Sequence, residues 1–318
     1  MNSSGRAVKK RKTVSLVLGS GGARGMAHIG VIEYLMEQGY DIRCISGASM
    51  GALVGGIHAT GQLNIFRDWL LALNKADVLR YLDFSFSTTA LFRGEKIINV
   101  LRDLIGEYQI EELPIAFTAV ASNIERQREV WLEDGSLFEA IRASIAVPTI
   151  FMPYEYRGMQ LLDGGLLNPV PVAPTLKTTT ELTVAVNLNG LNGYTPQEAV
   201  AAPSLARVKK HVLASRRRSI ARFIDGLQES LKPLGLDVRD WELPLLDDKM
   251  RPGLGLFDLL QNAFETMQNA IASSQLAAYR PDVLIDIPRR SCRVYEFYRA
   301  GEMIDLGYQR AHAAFSRD

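Results

Sequence analysis

The stretch Val14–Leu35, VSLVLGSGGARGMAHIGVIEYL, constrains this chain more than any other. Its apolar run Val14–Leu18 shows no alternation, the pattern of a strand covered on both faces. A glycine-rich loop follows. Beyond it, Ile29, Val31, Ile32, Leu35 and Met36 recur at near-helical spacing over Met26–Gln38, and Gly39 stops the run. A second pair comes next, a short strand at Ile42–Ile45 and a helix at Met50–Thr60 ending at Gly61. Strand–helix–strand–helix order predicts an α/β fold with three layers, helices on both faces of a mainly parallel central sheet. Phe66–Phe92 reads as helical at first and then irregular. Further helices are expected at Lys96–Ile105, Leu137–Ala146, Leu256–Tyr279 and Met303–Phe315. Further strands are expected at Ile115–Ala121, Glu129–Leu132, Gln160–Leu162, Leu182–Leu188 and Val283–Ile287.

A strand, a glycine loop and a helix usually make a site for negative charge. A phosphate loop needs Gly-Lys followed by Ser or Thr, and this one continues GARGMAH. In a dinucleotide fingerprint begun at Gly19, Arg24 falls on the last glycine position. After Ile42–Ile45 come Ser46 and Gly47, where a ribose would want a carboxylate. Nucleotide binding is therefore disfavoured.

The second strand instead runs into GASMG, Gly47–Ala48–Ser49–Met50–Gly51. This is G-x-S-x-G between strand and helix, the setting of a nucleophile elbow. The plain alternative is a Gly/Ser turn in which Ser49 caps a helix. A nucleophile needs an oxyanion hole and a base. Gly21, Gly22 and Ala23 precede a helix N-terminus, where amides are unpaired. Arg24 would add positive charge there or at a lipid head group, unless it is a solvated loop cation. The order Ser49, Asp163, His211 matches an α/β-hydrolase triad, yet here the serine follows only the second strand. His211 also sits in a basic helical stripe, and His28 and His58 read as packing residues. Asp163, in LLDGGLLNPVPV, is the other candidate base, although Asp-Gly is by itself a common turn signal.

Composition narrows the classes. A net charge of +1 over 318 residues gives no global case for nucleic acid. Cys44 and Cys292 show no paired spacing, which suits a reducing, cytoplasmic setting. Four scattered histidines predict no metal, and nothing points to a cofactor. The basic leader MNSSGRAVKKRK lacks a signal peptide's apolar stretch and reads as disordered over residues 1–12. Cys44–Phe66 is uncharged but broken by five glycines, so a buried core segment is preferred to a membrane span. Near residues 204–232, Leu205, Val208, Val212, Ile220 and Phe223 form an apolar stripe between lysines and arginines. Such a helix suits an anionic membrane surface, but ordinary packing with its arginines in water is the preferred reading.

Together, GSGGARG, GASMG and DGGLLNPVPV, with EAIRASIAVPTIFMPY before the aspartate and PDVLIDI and YRAGEMIDLGY near the C-terminus, resemble the patatin-like phospholipase family. The likeness spans nearly the whole chain and is strongest to bacterial members of the neuropathy-target-esterase type. It implies a patatin-like α/β/α core over residues 13–190, with 191–318 a helical extension packed on the same domain. It implies a Ser49–Asp163 dyad without histidine, the DGG turn of Gly164 and Gly165, and an oxyanion hole drawn from Gly21, Gly22, Ala23, Arg24 and Gly25. Ser20 departs from the family's three consecutive glycines and would narrow the approach to the hole. The activity implied is hydrolysis of lipid acyl esters through an acyl-enzyme, phospholipase A, lysophospholipase or esterase in type. A thioesterase or acyltransferase with the same dyad, or a lipid-binding regulator with little turnover, are the alternatives. The implied partner is a lipid or acyl-ester substrate, with peripheral contact at an anionic inner membrane. Oligomeric state is not legible.

Overall fold

The computed structural model describes residues 11–81, 90–190 and 256–316. The chain falls into two compact units, Met1–Ala199 with Phe264–Asp318, and Val200–Ala263. Of the second, only residues 256–263 are among those described. The expected basic stripe and His211 lie outside the described residues, as does the leader up to residue 10.

Nearly every expected element is present. The apolar run becomes strand β1 (Thr13–Leu18), and a 3-10 turn (Gly22–Met26) leads into helix α1 (Ala27–Glu37). Strand β2 (Asp41–Ala48) is followed by helices α2 (Met50–Ala59), α3 (Leu63–Ala72) and α4 (Lys75–Arg80). Then come β3 (Ala90–Phe92), α5 (Glu95–Ile105), β4 (Ala116–Asn123), β5 (Arg128–Leu132) and α6 (Leu137–Ser144). Strands β6 (Thr149–Phe151), β7 (Tyr154–Tyr156), β8 (Met159–Asp163) and β9 (Leu182–Gly190) follow. The chain closes with α7 (Leu256–Tyr279), β10 (Val283–Pro288) and α8 (Ala300–Phe315).

Strands β10, β9, β1, β2 and β4 lie side by side in parallel. Both faces are covered, as the unbroken apolar run of β1 requires. Adjacent residues of a strand point to opposite faces. Leu18 meets Gly51 and Gly55 of α2, whereas Val17 packs with Val170, Val172, Ala185 and Ala272 of α7. The expected three-layer α/β/α architecture is thus the observed one.

Two departures matter for function. Strand β2 does not stop at Ile45 but continues through Ser46, Gly47 and Ala48. These residues have little strand preference of their own, and pairing on both sides, to β1 and β4, overrides it. The second departure is β7, which the sequence reading missed. A turn with positive φ at both Arg157 and Gly158 joins β7 to β8, the geometry that suits a tight hairpin. The sheet is therefore mixed at one end, where β5, β7 and β8 run antiparallel to their neighbours.

The register places β2 and β8 on one edge of β4. Ala119, Val120 and Ala121 all pair with β5 on one side. On the other side Gly47 and Ala48 of β2 pair with Ala119 and Val120, and Asp163 of β8 pairs with Ala121. The first strand runs parallel to β4 and the second antiparallel, so their C-terminal ends meet head-on between Val120 and Ala121.

Candidate active site

Ser49 stands where β2 gives way to α2, at φ 55 and ψ −123. A non-glycine residue held at positive φ is strained by about 1–3 kcal/mol, so its surroundings must enforce it. Two glycines make room for the turn. A Cβ on Gly47 would lie 2.4 Å from the carbonyl carbon of Gly51, and one on Gly51 would lie 1.9 Å from the Leu18 oxygen. A third contact pins the serine backbone. The Ser49 N–H donates to Ser144 Oγ at 2.9 Å, and that hydroxyl donates to the Val120 carbonyl at 2.6 Å. The ladder of α2 begins with Leu53 N–H donating to the Ser49 carbonyl at 3.1 Å. The amides of the first turn, including Met50, therefore have no partner within the helix, and the positive end of its dipole points at Ser49.

Asp163 ends β8 and is fully buried. Its N–H donates to the Ala146 carbonyl at 2.9 Å, and its Oδ1 accepts the Gly165 N–H at 2.7 Å. Oδ2 is buried without a hydrogen-bond partner among the described residues. Burial pushes the carboxyl up to about 7, against the opposing pull of the Ser49 hydroxyl and the Gly165 amide. The Ser49 hydroxyl is near enough to act on Asp163, yet no bond between the two meets strict geometric limits. Loose alignment of this kind is common in catalytic pairs before substrate arrives. The DGG turn also has to be tight, because a Cβ on Gly164 would lie 2.0 Å from the Val120 oxygen.

The glycine loop is fastened on three sides. Gly19 N–H donates to the Val186 carbonyl at 3.0 Å, Ser20 N–H to Pro169 at 2.8 Å and Ala23 N–H to Val294 at 2.9 Å. From Arg24 onward the 3-10 ladder pairs the amides. Gly21 and Gly22 alone in this run keep N–H groups without an acceptor among the described residues. The candidate hole is accordingly smaller than the sequence suggested. Ala23 leaves it because its amide is committed to Val294, and Gly25 because it lies inside the turn.

The Arg24 side chain is neither solvated nor free to meet an anion. It is buried, bonded to the carbonyls of Arg289 and Cys292 and to Asn189, and paired with Glu265 of α7 at 3.2 Å. It clamps the loop to the last strands and to α7. The Ser20 hydroxyl accepts a hydrogen bond from Gln268 Nε2 at 3.2 Å.

No histidine partners Ser49 or Asp163 among the described residues. His28 is fully buried, and its Nε2 hydrogen-bonds the Gly19 carbonyl at 2.9 Å. A carbonyl only accepts, so Nε2 carries the proton. Burial lowers this histidine to about 4, leaving it a neutral brace beneath the loop. His58 is likewise lowered to about 4 by burial, and the ring of His312 packs edge-on to Tyr34. The sequence reading missed Ser144, Ala146, Glu265 and Gln268. The first two lie in the segment EAIRASIAVP, which was noted only as a likeness, and the last two carried no local signal.

A family model described as patatin-like phospholipase matches residues 16–176. An uncharacterised NTE family protein of Mycobacterium tuberculosis is 40% identical over 319 residues, covering 92% of this chain and 89% of its own. Lysophospholipase nte1 of Emericella nidulans is 30% identical over 190 residues, 58% of this chain but 12% of that much longer protein. The crystal structure of VipD from Legionella pneumophila aligns over 97% of this chain and 67% of that one, with a TM-score of 0.45 at 15% identity.

Two outcomes follow from the geometry. Ser144→Ala leaves the Ser49 N–H and the Val120 carbonyl without their partner and should cost about 2–3 kcal/mol in a denaturant titration. A change within error of zero would show that the hydroxyl does not hold the elbow. Asp163 carries a folded-state value near 7 against 3.8 for an ordinary aspartate, so stability present below about pH 4 is lost as pH rises through 7. Asp163→Asn removes that dependence. Its unfolding free energy relative to wild type, read from denaturant titrations, should climb from pH 4 to pH 8 by an amount on the order of 4 kcal/mol. A pH-independent difference would contradict the buried, raised carboxyl.

Proposed function

The chain belongs to the patatin-like phospholipase family, and on that premise we propose that it is a serine hydrolase of fatty-acyl esters, of phospholipid or lysophospholipid type. The observation that carries this reading is the unpartnered Oδ2 of Asp163, buried beside Ser49 on a carboxyl raised to about 7. An ordinary aspartate near pH 3.9 is a poor base, and one near 7 is matched to neutral conditions. The lysophospholipase name of the fungal relative supports the substrate class.

In this mechanism Ser49 Oγ attacks the ester carbonyl carbon while Asp163 Oδ2 takes its proton. The carbonyl oxygen becomes an oxyanion, held by the Gly21 and Gly22 amides and facing the positive end of α2. Collapse breaks the bond to the leaving alcohol, which receives the proton from Asp163, and the acyl group stays on Ser49. Water then attacks the acyl-enzyme, again giving its proton to Asp163. The second collapse frees the fatty acid and returns the proton to Ser49. Every proton movement is served by one carboxyl, and the chemistry draws on these residues alone.

A fluorophosphonate probe should label the wild-type protein and fail to label Ser49→Ala. Asp163→Asn should lower kcat/KM by at least about 100-fold, whereas His211→Ala should retain most activity. The wild-type rate should rise with pH through about 7 as the base ionises. A folded wild-type protein that takes no label would end the serine-hydrolase reading, and an inactive but folded His211→Ala would replace the dyad with a triad. Release of lysophospholipid by wild type, absent in Ser49→Ala, distinguishes a phospholipase from a thioesterase.

A further inference from the structure

Ser20 occupies the position where the resemblance leads one to expect glycine, and it is matched by a second polar residue far along the chain. Gln268, on α7, donates from Nε2 to Ser20 Oγ at 3.2 Å, and both side chains are buried. The pair sits directly on the DGG turn. A Cβ placed on Gly165 would lie 2.4 Å from Ser20 Oγ and 2.4 Å from Gln268 Nε2. The Ser20 N–H reaches the same segment, donating to the Pro169 carbonyl at 2.8 Å. Gly165 is in turn the residue whose N–H meets Asp163 Oδ1 at 2.7 Å. One buried contact thus joins the glycine loop, α7 and the amide that orients the carboxylate.

We propose that Ser20 and Gln268 together are positioning residues for Asp163, seating Gly165 so that its N–H fixes Oδ1 and leaves Oδ2 turned to Ser49. Neither residue touches substrate, and each acts through Gly165. The proposal rests on the Ser49–Asp163 reading given above. It explains why a serine is tolerated in the glycine loop. Its hydroxyl fills the space above a glycine that has no side chain, and Gln268 satisfies it there.

The carboxyl responds to few groups, so the effect is legible. Burial, the Ser49 hydroxyl and the Gly165 amide are the influences on Asp163, and no charged side chain is among them. On the neighbouring elements, Glu265 of α7 is held by Arg24 and Arg289. Glu129 of β5 accepts from Asn168, and His28 of α1 is neutral above about pH 4. Loosening the Gly165 amide weakens an interaction that favours the ionised carboxylate, so the pH at which activity appears should move upward.

The test is the pH–rate profile of an ester substrate for wild type, Ser20→Gly, Gln268→Ala and the double variant, together with fluorophosphonate labelling. Each single variant should raise the midpoint by about half a unit to one unit, with a loss of about 3- to 8-fold near pH 6.5 that fades in alkali. The double variant should move it little further than either single change, since both remove one contact. Single variants that keep the wild-type midpoint, or lose activity equally at all pH values, would overturn the proposal. Should Gln268→Ala not fold, Ser20→Gly, which inserts the family's own residue, decides the question by the same midpoint. Failure of the wild type to label or turn over would instead strike at the Ser49–Asp163 reading, so the two failures are distinguishable.

Discussion

The head-on meeting of β2 and β8 along one edge of β4 is the constraint from which the site follows. A parallel strand delivers Ser49 just past Val120, and an antiparallel strand delivers Asp163 opposite Ala121. Neither strand continues, because the other occupies the edge. Both must turn away at once, β2 through a strained serine and β8 through two glycines, Gly164 pressed against the Val120 oxygen and Gly165 against Ser20 and Gln268. The short segment at the end of α6 then fastens both turns. Ser144 takes the Ser49 amide, and Ala146 takes the amide of Asp163. Two residues 114 positions apart in sequence are thereby held by their own backbone amides, with Asp163 Oδ1 fixed in addition by the Gly165 N–H. Asp163 Oδ2 is left without a hydrogen-bond partner among the described residues.

That arrangement sets function against stability. A carboxyl that is buried with an unpaired oxygen resists ionising, and the positive φ of Ser49 stores further strain. Both features would be eliminated in a sequence selected for stability alone. They persist because the sheet around them is paired on both sides and densely apolar, from Val14, Leu16 and Leu18 in β1 to Val184, Val186 and Leu188 in β9. In the proposed mechanism, the same burial that makes Asp163 costly to ionise suits it to accept and return a proton near neutrality.

What was legible in the sequence was whatever the backbone dictates locally. Val14–Leu18 announced a covered strand, GASMG a turn between strand and helix, and DGG a tight reversal, because each depends on neighbours within a few residues. The helix at Leu256–Tyr279 was legible end to end because its apolar spacing is regular. What depends on distant register was not legible. The extension of β2 through Ser46, Gly47 and Ala48 comes from partners on both sides, and no propensity in those residues signals it. The antiparallel return of β8 hinged on an Arg157–Gly158 turn flanked by strands of three and five residues, too short for periodicity to show. From the sequence Arg24 is a charge at the oxyanion hole or a lipid head group, or else a solvated loop cation, because nothing nearby in sequence reveals Glu265, 241 positions away.

The fate of Arg24 bears on how charge is handled at the loop. With its guanidinium enclosed by Glu265, Asn189 and two carbonyls, it offers no full positive charge to an oxyanion. In the proposed mechanism the remaining donors are dipoles, the amides of Gly21 and Gly22 and the first turn of α2. Dipoles act usefully on a transient charge only if they do not have to reorient when it appears. The loop meets that condition by subtraction, since Gly19, Ser20 and Ala23 are tied to three separate segments and the two glycines between them inherit a fixed orientation. Leu188 and Val294 then leave no space for a Cβ at either glycine, with contacts of 2.5 and 2.8 Å to one placed there. Arg24 contributes by holding this frame rigid from behind, a mechanical role for a residue whose charge first suggested an electrostatic one.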